Sequence, residues 1–129
     1  MSLYILDTSA LLCYLRDEAG AEKVARILKK DCGMHRVNLG EVYYGVLKRD
    51  GLERANEMYG ALLQCPIRFI DDLTDAMLFT TGKFKVIHHL GFADSFAAAT
   101  ACLNSAFLVT KDNDFRPVGQ KGLVKIVWI

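Results

Sequence analysis

The chain predicts an α/β fold: a three-layer α/β/α sandwich around a central, mostly parallel sheet. Short apolar runs of strand length, such as Leu3–Leu6, Ile67–Ile70 and Ala106–Val109, alternate with longer segments whose apolar residues recur at helical spacing. Strands joined through helices run parallel, and right-handed crossovers then put helices on both faces of the sheet. A length of 129 residues suits one compact domain, read here as residues 1–129, with a core large enough to need no covalent staple.

Taken in order, Leu3 to Leu6 reads as a buried strand. Thr8 or Ser9 can cap a helix through Leu11, Leu12 and Leu15. A second helix spans roughly Gly20 to Lys30, with Val24, Ile27 and Leu28 on one face, and Gly33 ends that region. Met34 to Val37 can form a short strand, after which Asn38 caps a helix through Val42, Tyr43, Val46 and Leu47 that stops near Gly51. Leu52, Ala55, Tyr59, Leu62 and Leu63 mark the next helix; Pro66 and the strand Ile67–Ile70 follow. A helix beginning after Asp72 is expected to turn Leu73, Ala76, Met77, Thr80 and Phe84 inward, and Gly91 breaks it. Phe92, Phe96, Ala99, Thr100 and Leu103 belong to a helix whose small residues let it lie close to a sheet. Ala106–Val109 and Val124–Ile129 complete the strands.

Composition narrows the classes. Sixteen Lys and Arg against 15 Asp and Glu give a net charge of +1, so a nucleic-acid ligand would need positive charge gathered locally. The four cysteines (Cys13, Cys32, Cys65, Cys102) are scattered and contain no Cys-x-x-Cys pair, which predicts free thiols in a reducing compartment. No apolar run approaches the ~18 residues of a membrane span. Asp7 cuts Leu3–Leu6 short of a leader or an anchor, and a cytoplasmic address is expected.

Most acidic residues lie in polar stretches, but four do not. Asp7 and Asp112 stand just past apolar strands. Asp94 is the only charged side chain between His89 and Lys111, and Glu41 the only one from Val37 to Leu47. Each has an ordinary structural reading. Asp7 can cap a helix; Glu41 stands at capping-box distance from Asn38; Asp94 suits a helix N-terminus; Asp-Asn-Asp at 112–114 is common turn chemistry. Those readings leave unexplained why four solitary carboxylates fall at strand-to-helix junctions, which a parallel sheet gathers at one end. Two carboxylates about 4 Å apart repel by roughly 4 kcal/mol at an effective dielectric of 20. A divalent cation removes that conflict, and an all-oxygen set suits Mg²⁺ or Mn²⁺ better than zinc.

These segments resemble the motifs of the PIN-domain family. Asp7-Thr8-Ser9-Ala10-Leu11-Leu12 is similar to its opening signature. Asn38-Leu39-Gly40-Glu41-Val42-Tyr43-Tyr44-Gly45 looks like the segment of the second acid, Gly91 to Ala101 that of the third, and Val109 to Phe115 that of the fourth. Val124 to Val127 fits the closing strand. The likeness runs in family order over nearly the whole chain, and the size is that of VapC-like toxins. Asn38 and Gly40 depart from it, standing where family members more often have Ser or Thr and Ala.

The resemblance implies a Mg²⁺- or Mn²⁺-dependent endoribonuclease with Asp7, Glu41, Asp94 and Asp112 as metal ligands and catalytic acids, and Asp114 as a further member. Thr8, Ser9 and Thr110 would fix a carboxylate or touch a phosphate; capping and strand-end bonding are their ordinary readings. Lys111, Arg116, Lys83 and Lys85 are candidates for the RNA backbone. A small cognate antitoxin and a second copy of the chain are the implied partners, with Tyr43 or Tyr44 lining the antitoxin groove unless they belong to the core. Alternatives are an inactive PIN-like binding module, a PIN nuclease of RNA processing, a metal-free ribonuclease using His88 and His89, and a phosphotransfer domain. The last wants a second acid where this chain has Ser9.

Overall fold

The computed structural model describes residues 2–129. The elements in order are β1 (Tyr4–Leu6), α1 (Thr8–Leu15), α2 (Ala21–Leu28), β2 (Cys32–His35), α3 (Arg36–Asp50), α4 (Leu52–Leu63), β3 (Arg68–Ile70), α5 (Asp75–Val86), α6 (Phe92–Leu103), β4 (Phe107–Thr110), a 3₁₀ turn (Asn113–Phe115), α7 (Arg116–Gln120) and β5 (Lys125–Trp128). The five strands form one sheet in the order β3-β2-β1-β4-β5, every neighbouring pair parallel. Tyr4 of β1 stands in register with Cys32 on one side and Phe107 on the other.

This order decides where the site can be. The chain builds outward from β1 through β2 and β3, then returns to the other side of β1 to lay down β4 and β5. Beyond the carboxyl ends of β1 and β4 the connections therefore leave in opposite directions, and open α/β sheets bind their ligands in the crevice that this reversal creates. Asp7 follows β1 directly, and Asp112 comes two residues after the end of β4.

Alternation along the strands produces two cores. Ile5, Leu108 and Ile126 face α5, α6 and α7, where they meet Met77, Phe96, Phe115 and Val118. Leu6, Met34 and Val109 face the opposite way, onto Leu11, Val24, Leu39, Val42 and Leu62 of α1 to α4. The expected three layers are thus present. Helix α6 lies close to the sheet through Ala97, Ala98, Ala99 and Ala101, all fully buried.

Three local expectations are corrected. β2 ends at His35 rather than running from Met34 to Val37, and α3 starts at Arg36, so Asn38 lies inside the helix. The cap is His35, whose Nδ1 accepts from the Val37 amide at 3.0 Å while Nε2 meets the Asp72 carbonyl at 2.9 Å. Gly33 sits within β2 rather than ending the region before it. A Cβ there would come within 3.0 Å of the Arg68 carbonyl, so its bareness lets β3 pair closely. Helix α1 is capped by Asp7, not by Thr8 or Ser9.

Helix α5 shows a fourth difference. It begins at Asp75 behind a Thr74 cap, which leaves Leu73 outside the helix. Met77, Thr81 and Phe84 turn inward, while Leu73 and Ala76 are exposed and Thr80 is half-buried. None of the helices among the described residues is long and apolar enough to cross a membrane.

Because α6 carries Asp94 and touches the sheet through bare methyl groups, added volume has no room. Ala98→Leu is expected to destabilise the fold by about 1–3 kcal/mol, whereas the same change at exposed Ala61 should be nearly neutral. Urea midpoints of the two variants measure the contrast; equal midpoints would mean that α6 does not pack as described.

Candidate metal centre

Asp7 sits at the middle of the crevice and is 1% exposed. Its Oδ1 accepts from the Ala10 amide at 2.8 Å, which caps α1, and from the Ser9 hydroxyl at 2.8 Å. Its Oδ2 accepts from the Thr110 hydroxyl at 2.6 Å. Burial pushes the Asp7 carboxyl up to about 6 even though the Thr110, Ala10 and Ser9 hydrogen bonds pull it down; the nearby Asp112 charge adds to the rise. Capping and facing the crevice are one arrangement here, since the carboxylate closes the helix start at the end of β1.

Thr110 and Ser9 tie β4 to this anchor. Thr110 donates to Asp7 and accepts from the Asp112 amide at 3.0 Å, so one hydroxyl links two of the acids. Ser9 accepts from the Lys111 amide at 3.1 Å. Asp112 in turn accepts the Asp114 amide at 2.9 Å, which opens the 3₁₀ turn. The turn expected from Asp-Asn-Asp is therefore real, and it aims Asp114 at the same place.

Asp94, in the first turn of α6, completes the set. Its carboxylate lies with those of Asp112 and Asp114 in a group whose oxygens are all within 4.8 Å of one another. Burial, then the charges of Asp112, Asp7, Glu41 and Asp114, push Asp94 up to about 7. Carboxylates from four separate segments thus face one another. Asp7 and Glu41 stand outside the tightest group of three, and Asp114 stands within it.

Glu41 is reached through Asn38, which sequence reasoning took for a cap. The Asn38 amide nitrogen, fully buried, donates to the Ala93 carbonyl at 3.1 Å and to Thr8 Oγ1 at 3.3 Å. The Thr8 hydroxyl in turn donates to Glu41 Oε1, and the other carboxylate oxygen accepts from Tyr44 at 3.2 Å. One side chain therefore joins α3 to the residue beside Asp94 and to the residue beside Asp7. Asn38 Oδ1 is buried without a protein partner. The available signal was a lone amide three residues ahead of a lone acid, both on the first turns of an otherwise apolar helix. Glu41 makes no capping-box contact, because Asn38 is not the cap.

The basic residues divide. Lys111 turns away from the acids: its amine meets the Ala19 carbonyl at 3.2 Å and Glu18 at 3.6 Å. Arg116 follows the 3₁₀ turn, donates from Nε to Asn113 Oδ1 at 2.9 Å and lies over the Trp128 ring. Lys83 lines a cleft with His88, Cys102 and Leu123, residues of the amino end of the sheet, and Lys85 is exposed on α5. No contact among the described residues joins Lys83 or Lys85 to the carboxylates.

The donor set fits a hard divalent cation. It is all oxygen, it includes no thiolate or imidazole, and within it burial and the neighbouring acids raise the proton affinity of Asp94.

Comparison with known proteins bears on the fold and the family. A search of curated proteins finds no match. Among solved structures, VapBC2 from Rickettsia felis bound to a DNA fragment from its promoter is similar at a TM-score of 0.77 and 18% identity, covering 98% of each chain. DNA-bound VapBC from Salmonella typhimurium gives 0.76 and 16%, over 99% of this chain and 98% of that one. VapC20 from Mycobacterium tuberculosis, described as a sarcin-ricin-loop-cleaving toxin, gives 0.72 and 18%, over 90% and 95%. The family model of the PIN domain matches residues 4–121, so the chain belongs to the PIN-domain family.

Proposed function

We propose that this protein is a Mg²⁺- or Mn²⁺-dependent endoribonuclease and the toxin of a toxin–antitoxin pair. One observation carries the reading. Asp94 is partly buried beside four other acids, and that burial together with their charges raises its proton affinity to about 7, a state that a divalent cation relieves and that has no structural benefit by itself.

Asp94, Asp112 and Asp114 would hold the cation, with Glu41 and Asp7 bordering it. When bound, the ion supplies an acidified water and neutralises charge on a phosphodiester. The remaining work belongs to the chain. Asp7 fixes the floor of the crevice through three donors, Thr110 sets the distance from Asp7 to Asp112, and Asn38 sets the distance from Glu41 to Asp94. Thr8 fixes the Glu41 carboxylate by donating a hydrogen bond to Oε1, and Tyr44 narrows its freedom from outside. Lys111 is engaged with Glu18 and Ala19, whereas Arg116 directly follows the Asp112–Asp114 turn in the chain and makes no salt bridge among the described residues.

The partner is a small antitoxin, as in the VapBC complexes that this fold resembles. A cleft of about 460 Å³ between α1, α3 and α4 suits an apolar peptide segment. Tyr14, Leu15, Val46, Met58 and Leu62 line it, with Arg16 and Arg54 at hand for a carboxylate. Tyr43 contributes elsewhere, packed edge-on against Tyr59, and Tyr44 reaches Glu41. A homodimer belongs to the same reading, with the exposed Leu78, Phe79 and Val86 of α5 as the apolar area available to a second copy.

Three outcomes test the assignment. Cleavage of single-stranded RNA should stop in EDTA, return with Mn²⁺ or Mg²⁺, and be lost in a folded Asp94→Asn protein; undiminished cleavage by that variant refutes the role. Asn38→Ala should weaken Mn²⁺ binding by about tenfold, and it removes a buried hydrogen bond worth roughly 0.5–1.5 kcal/mol. Unchanged Mn²⁺ titration would reduce Asn38 to a packing residue.

The third outcome concerns pH. Asp7 and Asp94 are raised from 3.8 to about 6 and about 7, so between about pH 4 and 7 the native state binds more protons than the unfolded chain. Stability of the metal-free protein contributed by these groups therefore falls as pH rises through that window. Asp94→Asn removes one titration, so it should raise the melting temperature in EDTA at pH 8 and do so much less at pH 5. An increment independent of pH would contradict the crowding of charge described above.

A further inference from the structure

Beyond the acids, in the direction of β5, lies a second feature that the cleavage chemistry does not use. Trp128, the only tryptophan of the chain, ends β5 in register with Thr110, the residue whose hydroxyl holds Asp7. Adjacent strands are about 4.8 Å apart, so the Trp128 backbone is one strand away from the anchor of the site. Its ring packs with Ile126 on the face of the sheet covered by α5, α6 and α7, and it is only partly buried. The Arg116 guanidinium lies 4.8 Å from the ring centroid.

A cleft of about 330 Å³ opens beside this pair, between α7 and β5, with Gly119 and Gln120 on one wall and Ile126 and Trp128 on the other. Gly119 lets α7 pack closely on β5 at this point, since a Cβ there would come within 2.7 Å of Ile126 Cδ1. No acidic side chain lines the cleft, and the charged residues that do are Arg116 and Lys125. Arg116 makes no salt bridge among the described residues. Only its Nε is engaged, with Asn113, which steadies the guanidinium and leaves the terminal nitrogens free. The Asp112–Asp114 turn runs directly into Arg116, so the cleft begins where the acidic cluster ends.

We infer that this cleft is a nucleotide subsite: Trp128 receives a base of single-stranded RNA, and the free nitrogens of Arg116 hold an adjoining phosphate. The inference rests on the ribonuclease reading above and adds to it a path for the strand, out of the acidic crevice and across the end of β5. Three properties fit that occupant. An aromatic face beside a planar cation is a stacking surface that accepts any base. An uncompensated guanidinium next to an acidic crevice attracts the phosphate which the crevice itself repels. The Trp128 and Arg116 end of the cleft lies at the carboxyl end of the sheet, on the same side as the reacting groups.

Because Trp128 is the only tryptophan, its emission reports this subsite and nothing else. The test uses the full chain carrying Asp94→Asn in Mg²⁺, titrated with a mixed-sequence single-stranded RNA dodecamer. Binding is read independently by the anisotropy of an end-labelled copy. Trp128 emission should be quenched along the same isotherm, a duplex of equal length should quench little, and Arg116→Ala should weaken binding by about fivefold. In the chain with Asp94 intact, Trp128→Leu should raise KM by about tenfold with kcat nearly unchanged, while Trp128→Tyr, which keeps a stacking face, should restore it. Anisotropy that reports binding while emission stays flat overturns the subsite and leaves the nuclease reading untouched. Quenching by RNA that the Asp94-intact chain never cleaves supports the subsite and sinks the nuclease reading. An RNA that neither binds nor is cut refutes both.

Discussion

The carboxylate of Asp7 is buried at the centre of a parallel sheet, and it is tolerated there because three donors surround it. The Ala10 amide comes from the helix that follows β1, the Ser9 hydroxyl from the same turn, and the Thr110 hydroxyl from the end of β4. Without them an ionised group so deep would cost several kcal/mol, or stay protonated. With them, the ends of β1 and β4 are held together and the remaining acids acquire fixed positions relative to a common floor. The geometry of Asp112 and Asp114 follows from Thr110, and that of Glu41 and Asp94 follows from Asn38. The fold and the site are in this sense a single hydrogen-bonded object.

Much of that object was readable in the chain. Asp7, Asp94 and Asp112 announce themselves as lone charges after apolar strands or in an apolar helix, and the sheet topology makes their convergence a consequence of parallel strands alone. The VapC-like resemblance is matched by the family hit over residues 4–121 and by solved structures of the same fold. The alanines of α6 were equally legible, since a run of bare methyl groups has few uses other than a close approach to a sheet.

What escaped prediction was decided by contacts distant in sequence. Asn38 looks like a cap because caps are local, whereas its partners, Ala93 and Thr8, lie 55 and 30 residues away. His35 looks like an ordinary strand residue, yet a ring nitrogen serves as the cap because Asp72 and Phe96 fix its orientation. The inward face of α5 was misjudged because the helix is capped by Thr74, two residues after Asp72, which leaves Leu73 outside it, and because its buried side runs through Met77, Thr81 and Phe84 rather than Ala76 and Thr80. Asp114 could be assigned only once the turn opened by Asp112 had a direction. Spacing alone locates the acids; their support requires the third dimension.

The double duty of Asp7 has an effect on how such a protein can be disarmed. A side chain that both begins a helix and floors the crevice cannot be replaced without touching the folded state, whereas Asp94 sits on a helix whose own cap, Gly91, uses no side chain. Under the proposed nuclease function, loss of activity by mutation is therefore cheap at Asp94 and expensive at Asp7. A lineage that silences this chain but still needs its shape, for instance to keep a binding partner occupied, has every reason to spare the first acid and discard the third.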